Sequence, residues 1–241
     1  MSGSWHCIGA SVIGPGHIRN NLPNQDAWMY EHTSCLDCAV LADGLGSKQK
    51  SDVASRGICK SVIRASKCLE EAPGNLFAPL DFLLKAMSFF DEEVNGFSRK
   101  DCATTCLICL RFKGKIHLAM LGDGILAAML VTGEIVILED DKSDSFSNMV
   151  SALDPESIET DWLYREIDEN ECKAILICTD GVGDDLVDIS GFFKEFLDAF
   201  ASLEANIASQ KIQEMLENWP VPRHSDDKTL VCLFSDEVTN G

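Results

Sequence analysis

An α+β layered sandwich is the fold class this 241-residue sequence predicts, and two features of its pattern carry the expectation. Strand-like apolar runs come in groups joined by short turns, and amphipathic helical stretches come in pairs, whereas a parallel sheet needs strands and helices in regular alternation. Consecutive strands with short turns pair antiparallel, and paired amphipathic helices need sheet faces to cover. With 46% hydrophobic residues the chain has the apolar surface for such layers. A folded domain of this length buries roughly 70–75% of its extended-chain surface.

The elements follow in order. Strand-like segments run from Trp5 to Val12, Ala27 to Tyr30 and Cys38 to Leu41, each closed by turn residues or by Gly and Asp. A first helix is predicted from Val53, Gly57, Ile58, Ser61, Val62, Ala65 and Leu69, which recur at spacings that share one helical face. After the Pro73-Gly74-Asn75 break, Leu80, Leu83, Leu84, Met87 and Val94 predict a second. Strands return over Thr104 to Phe112, Ile116 to Leu121, Ile125 to Val131 and Glu134 to Leu138, with Lys113-Gly114 and Thr132-Gly133 as turns. The polar stretch from Glu139 to Pro155 reads as a loop or flap. A strand from Ala174 to Cys178, helices over Gly191 to Ala201 and Ile207 to Trp219, and a strand from Thr229 to Phe234 complete the chain. There is no long Pro, Gly or Ser linker and no internal repeat, so residues 1–241 read as one domain.

Charge excludes several functions. The 39 acidic residues against 20 basic ones leave a formal charge of −19, which repels nucleic acid and anionic membranes alike. The longest wholly apolar stretch, Ile125 to Val131, is far short of the ~20 residues a membrane span needs. Eleven cysteines without a secretory start predict free thiols in a reducing, cytoplasmic setting. Two pairs have CxxC spacing. In the β-like run holding Cys106 and Cys109, however, residues three apart point to opposite faces and cannot ligate one ion. Cys35 and Cys38, at the start of another apolar run, are likewise read as ordinary thiols.

Four acidic sites share one context, an Asp at the end of an apolar strand. They are Ala42-Asp43-Gly44, Gly122-Asp123-Gly124, Thr179-Asp180-Gly181, and Asp226-Asp227 ahead of the last strand. Strand ends are rigid supports on which carboxylates can converge. Converging carboxylates repel one another unless cations neutralise them, and all-oxygen sites suit Mg²⁺ or Mn²⁺.

Together with Asn24-Gln25-Asp26, Ala42 to Ser47, Ala103-Thr104-Thr105, Thr179 to Asp184 and Asp226-Asp227-Lys228-Thr229, these segments resemble the ordered motif series of the metal-dependent type 2C protein phosphatases. The His17 to Asp26 arrangement is similar to a bacterial subgroup. The resemblance implies a four-layer α/β/β/α sandwich, two central antiparallel sheets flanked by helix pairs, with two Mn²⁺ or Mg²⁺ ions at one end. It implies that Asp43 bridges both metals, that the Gly44 carbonyl reaches the second, and that Asp180 and Asp226 ligate the first. Asp123 and Asp184 match positions of an additional, weaker ion. Asp26 and Thr105 match groups that hold metal-bound water. The implied substrate is a protein phosphorylated on serine or threonine by an opposing kinase, and a monomer is expected.

The chain departs from the family pattern in three places. Leu45 stands where many members have a His that serves as a candidate general acid. Gln25 replaces a Glu, and Asn21 stands at the position of a phosphate-binding Arg, leaving His17 and Arg19 as the nearby candidates. The chemistry expected is hydrolysis of a phosphate monoester by hydroxide bridging two cations, which invert the site's sign and lower the pKa of water. Leu45 and Gln25 motivate a rival reading, a catalytically silent module of the same fold that binds a phosphoprotein or partner.

Overall fold

In the computed structural model, residues 4–71, 77–138 and 162–239 are described. Strands in chain order are β1 (Trp5–Val12), β2 (Asp26–His32), β3 (Leu36–Asp43), β4 (Cys106–Phe112), β5 (Lys115–Leu121), β6 (Ile125–Leu130), β7 (Ile135–Leu138), β8 (Leu163–Asp168), β9 (Cys172–Cys178) and β10 (Lys228–Ser235). Helices are α1 (Pro15–Asn20), α2 (Ser51–Glu71), α3 (Pro79–Glu93), α4 (Asp180–Gly183), α5 (Ile189–Phe200), α6 (Ala205–Glu217) and α7 (Asp236–Thr239). The strands form two five-stranded sheets, ordered β1-β10-β9-β6-β7 and β2-β3-β4-β5-β8, and every pairing is antiparallel.

Three apolar layers hold this stack together. One packs the first sheet on α5 and α6, a second packs the other sheet on α2 and α3, and a third lies between the sheets. The four-layer sandwich expected from the sequence is therefore the observed one. In β4, Cys106, Ile108 and Leu110 face the helices while Leu107 and Cys109 face the opposing sheet. Both faces are covered, which is why the strand reads as an unbroken apolar run. Cys106 and Cys109 do lie on opposite faces, and Cys35 is exposed while Cys38 is buried. Among the described residues, no helix is long and apolar enough to cross a membrane.

Three details differ from the sequence reading. In α3, Leu80 and Leu84 are exposed, and the face that docks is Phe82, Leu83, Ala86, Phe89 and Phe90. The helix is apolar on more than one side, so leucine spacing alone misplaced its inner face. The short α1, opened by Pro15, was hidden because six residues are too few to show a helical period. Strand β8 was missed because it is an edge strand whose Tyr164, Arg165 and Glu166 are exposed, leaving little apolar alternation to read. The expected loop from Glu139 to Pro155 lies outside the described residues.

Leu107 is fully buried between the sheets. Leu107→Ala is expected to lower stability by about 2–5 kcal/mol, the usual cost of such a cavity, measured as a reduced urea midpoint with an unchanged m-value.

Candidate functional site

Sheet pairing brings the first two aspartates together. Asp26 opens β2, Asp43 closes β3, and the two sit opposite each other across the ladder. From the other sheet, β9 ends at Cys178, and after Thr179 the chain turns into α4 with Asp180 as its first residue. Asp123 occupies the turn where the chain passes from β5 in one sheet to β6 in the other. Asp226 and Asp227 lie just before β10. The acidic strand ends thus gather at one end of the sandwich.

Asp26 is buried, and its Oδ2 accepts hydrogen bonds from Thr179 Oγ1 (2.9 Å) and Thr229 Oγ1 (2.8 Å), both belonging to the opposite sheet's strand ends. Its carboxyl lies close to that of Asp43, its partner across the ladder, and Asp43 lies close to Asp180. Burial pushes the Asp26 carboxyl up to about 7, with the charge of Asp227 adding and the threonine bonds opposing. Asp180 rises to about 6 through burial and then the charges of Asp123 and Asp226. Asp43 is held well above the ordinary carboxylate range by burial and then by Asp26, Asp180 and Asp226. Desolvation and like charge act in the same direction on each of these groups.

The backbone around Asp43 is fixed by the Thr104-Thr105 pair. Asp43 N–H donates to Thr105 Oγ1 (2.8 Å), and the Asp43 carbonyl accepts from both Thr104 Oγ1 and Thr105 N–H, each at 2.8 Å. Thr105 therefore holds the strand end on which Asp43 sits. The Gly44 N–H donates to the Gln25 carbonyl (3.1 Å), and Gly44 bridges to Thr104. Gln25 is buried, and Leu45 is half-buried with its N–H on the Ala103 carbonyl.

The consecutive residues Asp226 and Asp227 have opposite surroundings. Asp226 is exposed. Asp227 is buried and accepts three hydrogen bonds, from Gly14 N–H (2.6 Å), Gln25 N–H (2.6 Å) and His17 Nδ1 (2.8 Å). Gly14 and Gly181 press on this pair so closely that a Cβ on either would meet the backbone of Asp226 or Asp227 within 2.4 Å. His17 is thereby held by a buried carboxylate, while Arg19 and Asp184 are exposed. Asn21 ends α1 with φ of 52°, and its N–H caps the helix on the carbonyls of His17 and Ile18. An asparagine suits this left-handed position better than an arginine.

Sequence reasoning missed the roles of Asp227 and Lys228. Lys228 is buried with its Nζ near His224 Nδ1 (3.2 Å) and the Asp226 carbonyl (3.3 Å), and burial lowers its pKa despite the surrounding carboxylates. A lysine at the head of a strand buried on both faces was the signal for it.

All the converging donors are oxygens, a set that fits a hard divalent cation. Among the described residues, however, no group of three His, Cys, Asp or Glu side chains surrounds a common point as a ligand set does.

Comparison with known proteins agrees with the fold. A family model described as Protein phosphatase 2C matches residues 13–217. A crystal structure of a bacterial serine phosphatase aligns with a TM-score of 0.67 at 15% identity, over 97% of this chain and 98% of that one. The catalytic domain of the serine threonine protein phosphatase PstP, in complex with two manganese ions, gives 0.62 at 16% identity over 95% and 97%. The photosystem II phosphatase PBCP gives 0.63 at 14% identity over 96% and 98%. At these identities the likeness is one of fold. A search of curated protein sequences found no match.

Raised carboxyl pKa values have a definite sign in stability. A folded Asp26 that titrates at about 7 stabilises the protein below its unfolded pKa of about 3.9, and that contribution is lost as pH rises through 7. Asp180 acts the same way up to about 6, whereas His117, whose pKa is lowered by burial, acts oppositely. In chelator, the contribution of Asp26 is read from the difference between the parent and Asp26→Asn. The parent should lose Tm relative to that variant between pH 5 and 7.5, and parallel Tm curves contradict the assignment.

Proposed function

Because the chain belongs to the protein phosphatase 2C family, matched over residues 13–217, we propose that it is a metal-dependent protein phosphatase acting on phosphoserine and phosphothreonine. The observation that carries this reading is the convergence of Asp26, Asp43 and Asp180 at one end of the sandwich, with Asp226 and Asp123 adding charge beside them. Asp43, Asp180 and Asp226 are the carboxylates assigned to one Mn²⁺ or Mg²⁺ ion, Asp43 and the Gly44 carbonyl to a second, and Asp123 and Asp184 to a third, weaker one. When bound, such cations supply positive charge against a phosphate dianion and lower the pKa of water toward neutrality for in-line displacement. That PstP holds two manganese ions on the same fold supports the assignment of two here.

The chain's own residues supply position and grip. Thr105 fixes the backbone of Asp43, and Asp26 fixes the neighbouring strand against the opposite sheet. Asp227 engages His17 at Nδ1 and so fixes the imidazole, and His17 with Arg19 on the same short helix are the candidates for gripping phosphate. Leu45 has no ionisable proton to donate, so the leaving serine or threonine oxygen draws one from water or from another group. The physiological substrate is read as a phosphoprotein opposed by a kinase, met by a monomer in the cytoplasm.

Hydrolysis of p-nitrophenyl phosphate or a phosphothreonine peptide should require Mn²⁺ or Mg²⁺ and stop in chelator. Protein that binds phosphopeptide with no turnover under either ion would instead establish the silent module suggested by Leu45 and Gln25. Asp43→Asn is expected to abolish turnover together with any rise in Tm on adding Mn²⁺; an unchanged metal response contradicts the ligand assignment. His17→Gln or Arg19→Gln should raise KM more than it lowers kcat, the mark of a lost grip on ground-state phosphate.

A further inference from the structure

Beside the acidic cluster, on the flank of Asp226, opens a cleft of about 650 Å³. It lies between the β1 end with α1 on one side and the C-terminal half of α6 on the other. Its accessible apolar lining is Ile13, Pro15 and Ile18, over the buried Val12 and Leu216, and Ile18 is 58% exposed. Its exposed acids are Glu217 and Asp226. The polar groups deeper in it already have partners. Ser11 Oγ accepts from Asn24 Nδ2 and donates to Thr229 Oγ1, and Lys228 Nζ contacts His224 and the Asp226 carbonyl. What the cleft leaves to offer is apolar surface with negative charge at its edge, a common make-up for a pocket that takes a side chain.

We propose that this cleft binds the residues flanking the phosphorylated side chain of a protein substrate, and that it selects an apolar residue next to Arg or Lys. The inference rests on the phosphatase reading above, because it is Asp226, shared by cleft and cluster, that makes the two continuous. An apolar side chain covers Ile13, Pro15 and Ile18. The adjacent cation meets Glu217, whose carboxylate is fixed by a 2.8 Å hydrogen bond from Gln213 one helical turn earlier. A chain of net charge −19 adds a long-range preference of the same sign.

The test uses the full chain with Mn²⁺ and three labelled phosphothreonine peptides. One carries Ile-Arg beside the phosphoresidue, one Ile-Glu and one Ser-Arg, each made with the pair before and after the phosphothreonine. Fluorescence anisotropy reads Kd, and p-nitrophenyl phosphate, which has no flanking residues, reads basal turnover. The Ile-Arg peptide should bind about 5-fold more tightly than either other peptide in one of the two placements, the scale of a partly exposed ion pair or a partly buried side chain. Glu217→Lys should reverse the Arg-over-Glu preference, and Ile18→Ser should erase the Ile-over-Ser preference, with p-nitrophenyl phosphate turnover unchanged in both. Equal affinities in both placements overturn the proposal, as do variants that lower basal turnover as much as peptide binding. Discrimination among peptides with no turnover of p-nitrophenyl phosphate supports the cleft and overturns the phosphatase reading. Turnover without discrimination does the reverse.

Discussion

The carboxyl of Asp26 is buried between two sheets and accepts one threonine hydroxyl from each of two strand ends on the far side, Thr179 after β9 and Thr229 in β10. Apolar packing between the sheets is strong but non-directional, and side chains such as Leu107, Ile177 and Val231 could interdigitate in more than one offset. Hydrogen bonds are directional, and a buried acceptor stripped of its donors costs about 1–3 kcal/mol. The pair of bonds therefore selects one offset, the one that sets Asp43 of the second sheet beside Asp180 of the first. Thr229 N–H closes the arrangement by donating to Thr179 Oγ1 at 3.1 Å. Without that offset the acidic strand ends would be separate turns.

Asp227 extends the same constraint to the loop between β1 and β2. Its three hydrogen bonds reach the start of α1, the imidazole of His17 and the residue immediately before Asp26. One carboxylate thus fixes both ends of the segment from Gly14 to Gln25, and the close packing of Gly14 and Gly181 against the Asp226-Asp227 backbone leaves that turn no room to shift. Asp226 is consequently presented outward from a rigid turn, toward the cleft lined by α1 and α6. Two adjacent residues of one type divide the work, the buried one holding the loop and the exposed one facing the cleft.

Much of this architecture was legible in the sequence because the central strands are buried on both faces. Such strands appear as continuous apolar runs, as in Cys106 to Leu110 and Ala174 to Cys178, and Asp43, Asp123 and Asp180 just after such runs mark the site end. Helix α2 was legible because small residues alternate with Ile58 and Val62 on its inner face. What stayed hidden is what depends on partners distant in the chain. Strand β8 gains its identity from β5, more than forty residues earlier. Asp227 looks like a twin of Asp226 until the loop from Gly14 to Gln25 folds over it. In α3 the composition offers two apolar faces, and only the position of the sheet decides between Leu80 with Leu84 and Phe82 with Phe90.

The cluster also sets stability against chemistry. Local rules of charge and burial are obeyed along most of the chain, and prominent departures from them are Asp26, Asp43 and Asp180, carboxyls whose pKa values burial and one another hold up. Departures of this kind concentrate at functional sites, where the rest of the fold offsets them. Three apolar layers supply that offset here. Asp26 belongs to both accounts, being the acceptor that aligns the sheets and the nearest carboxyl across the ladder from Asp43. Any positive charge that lowers the pKa of Asp43 acts on Asp26 as well, favouring its ionised form and strengthening it as an acceptor for Thr179 and Thr229. By linkage, tighter alignment of the sheets then favours cation binding in return.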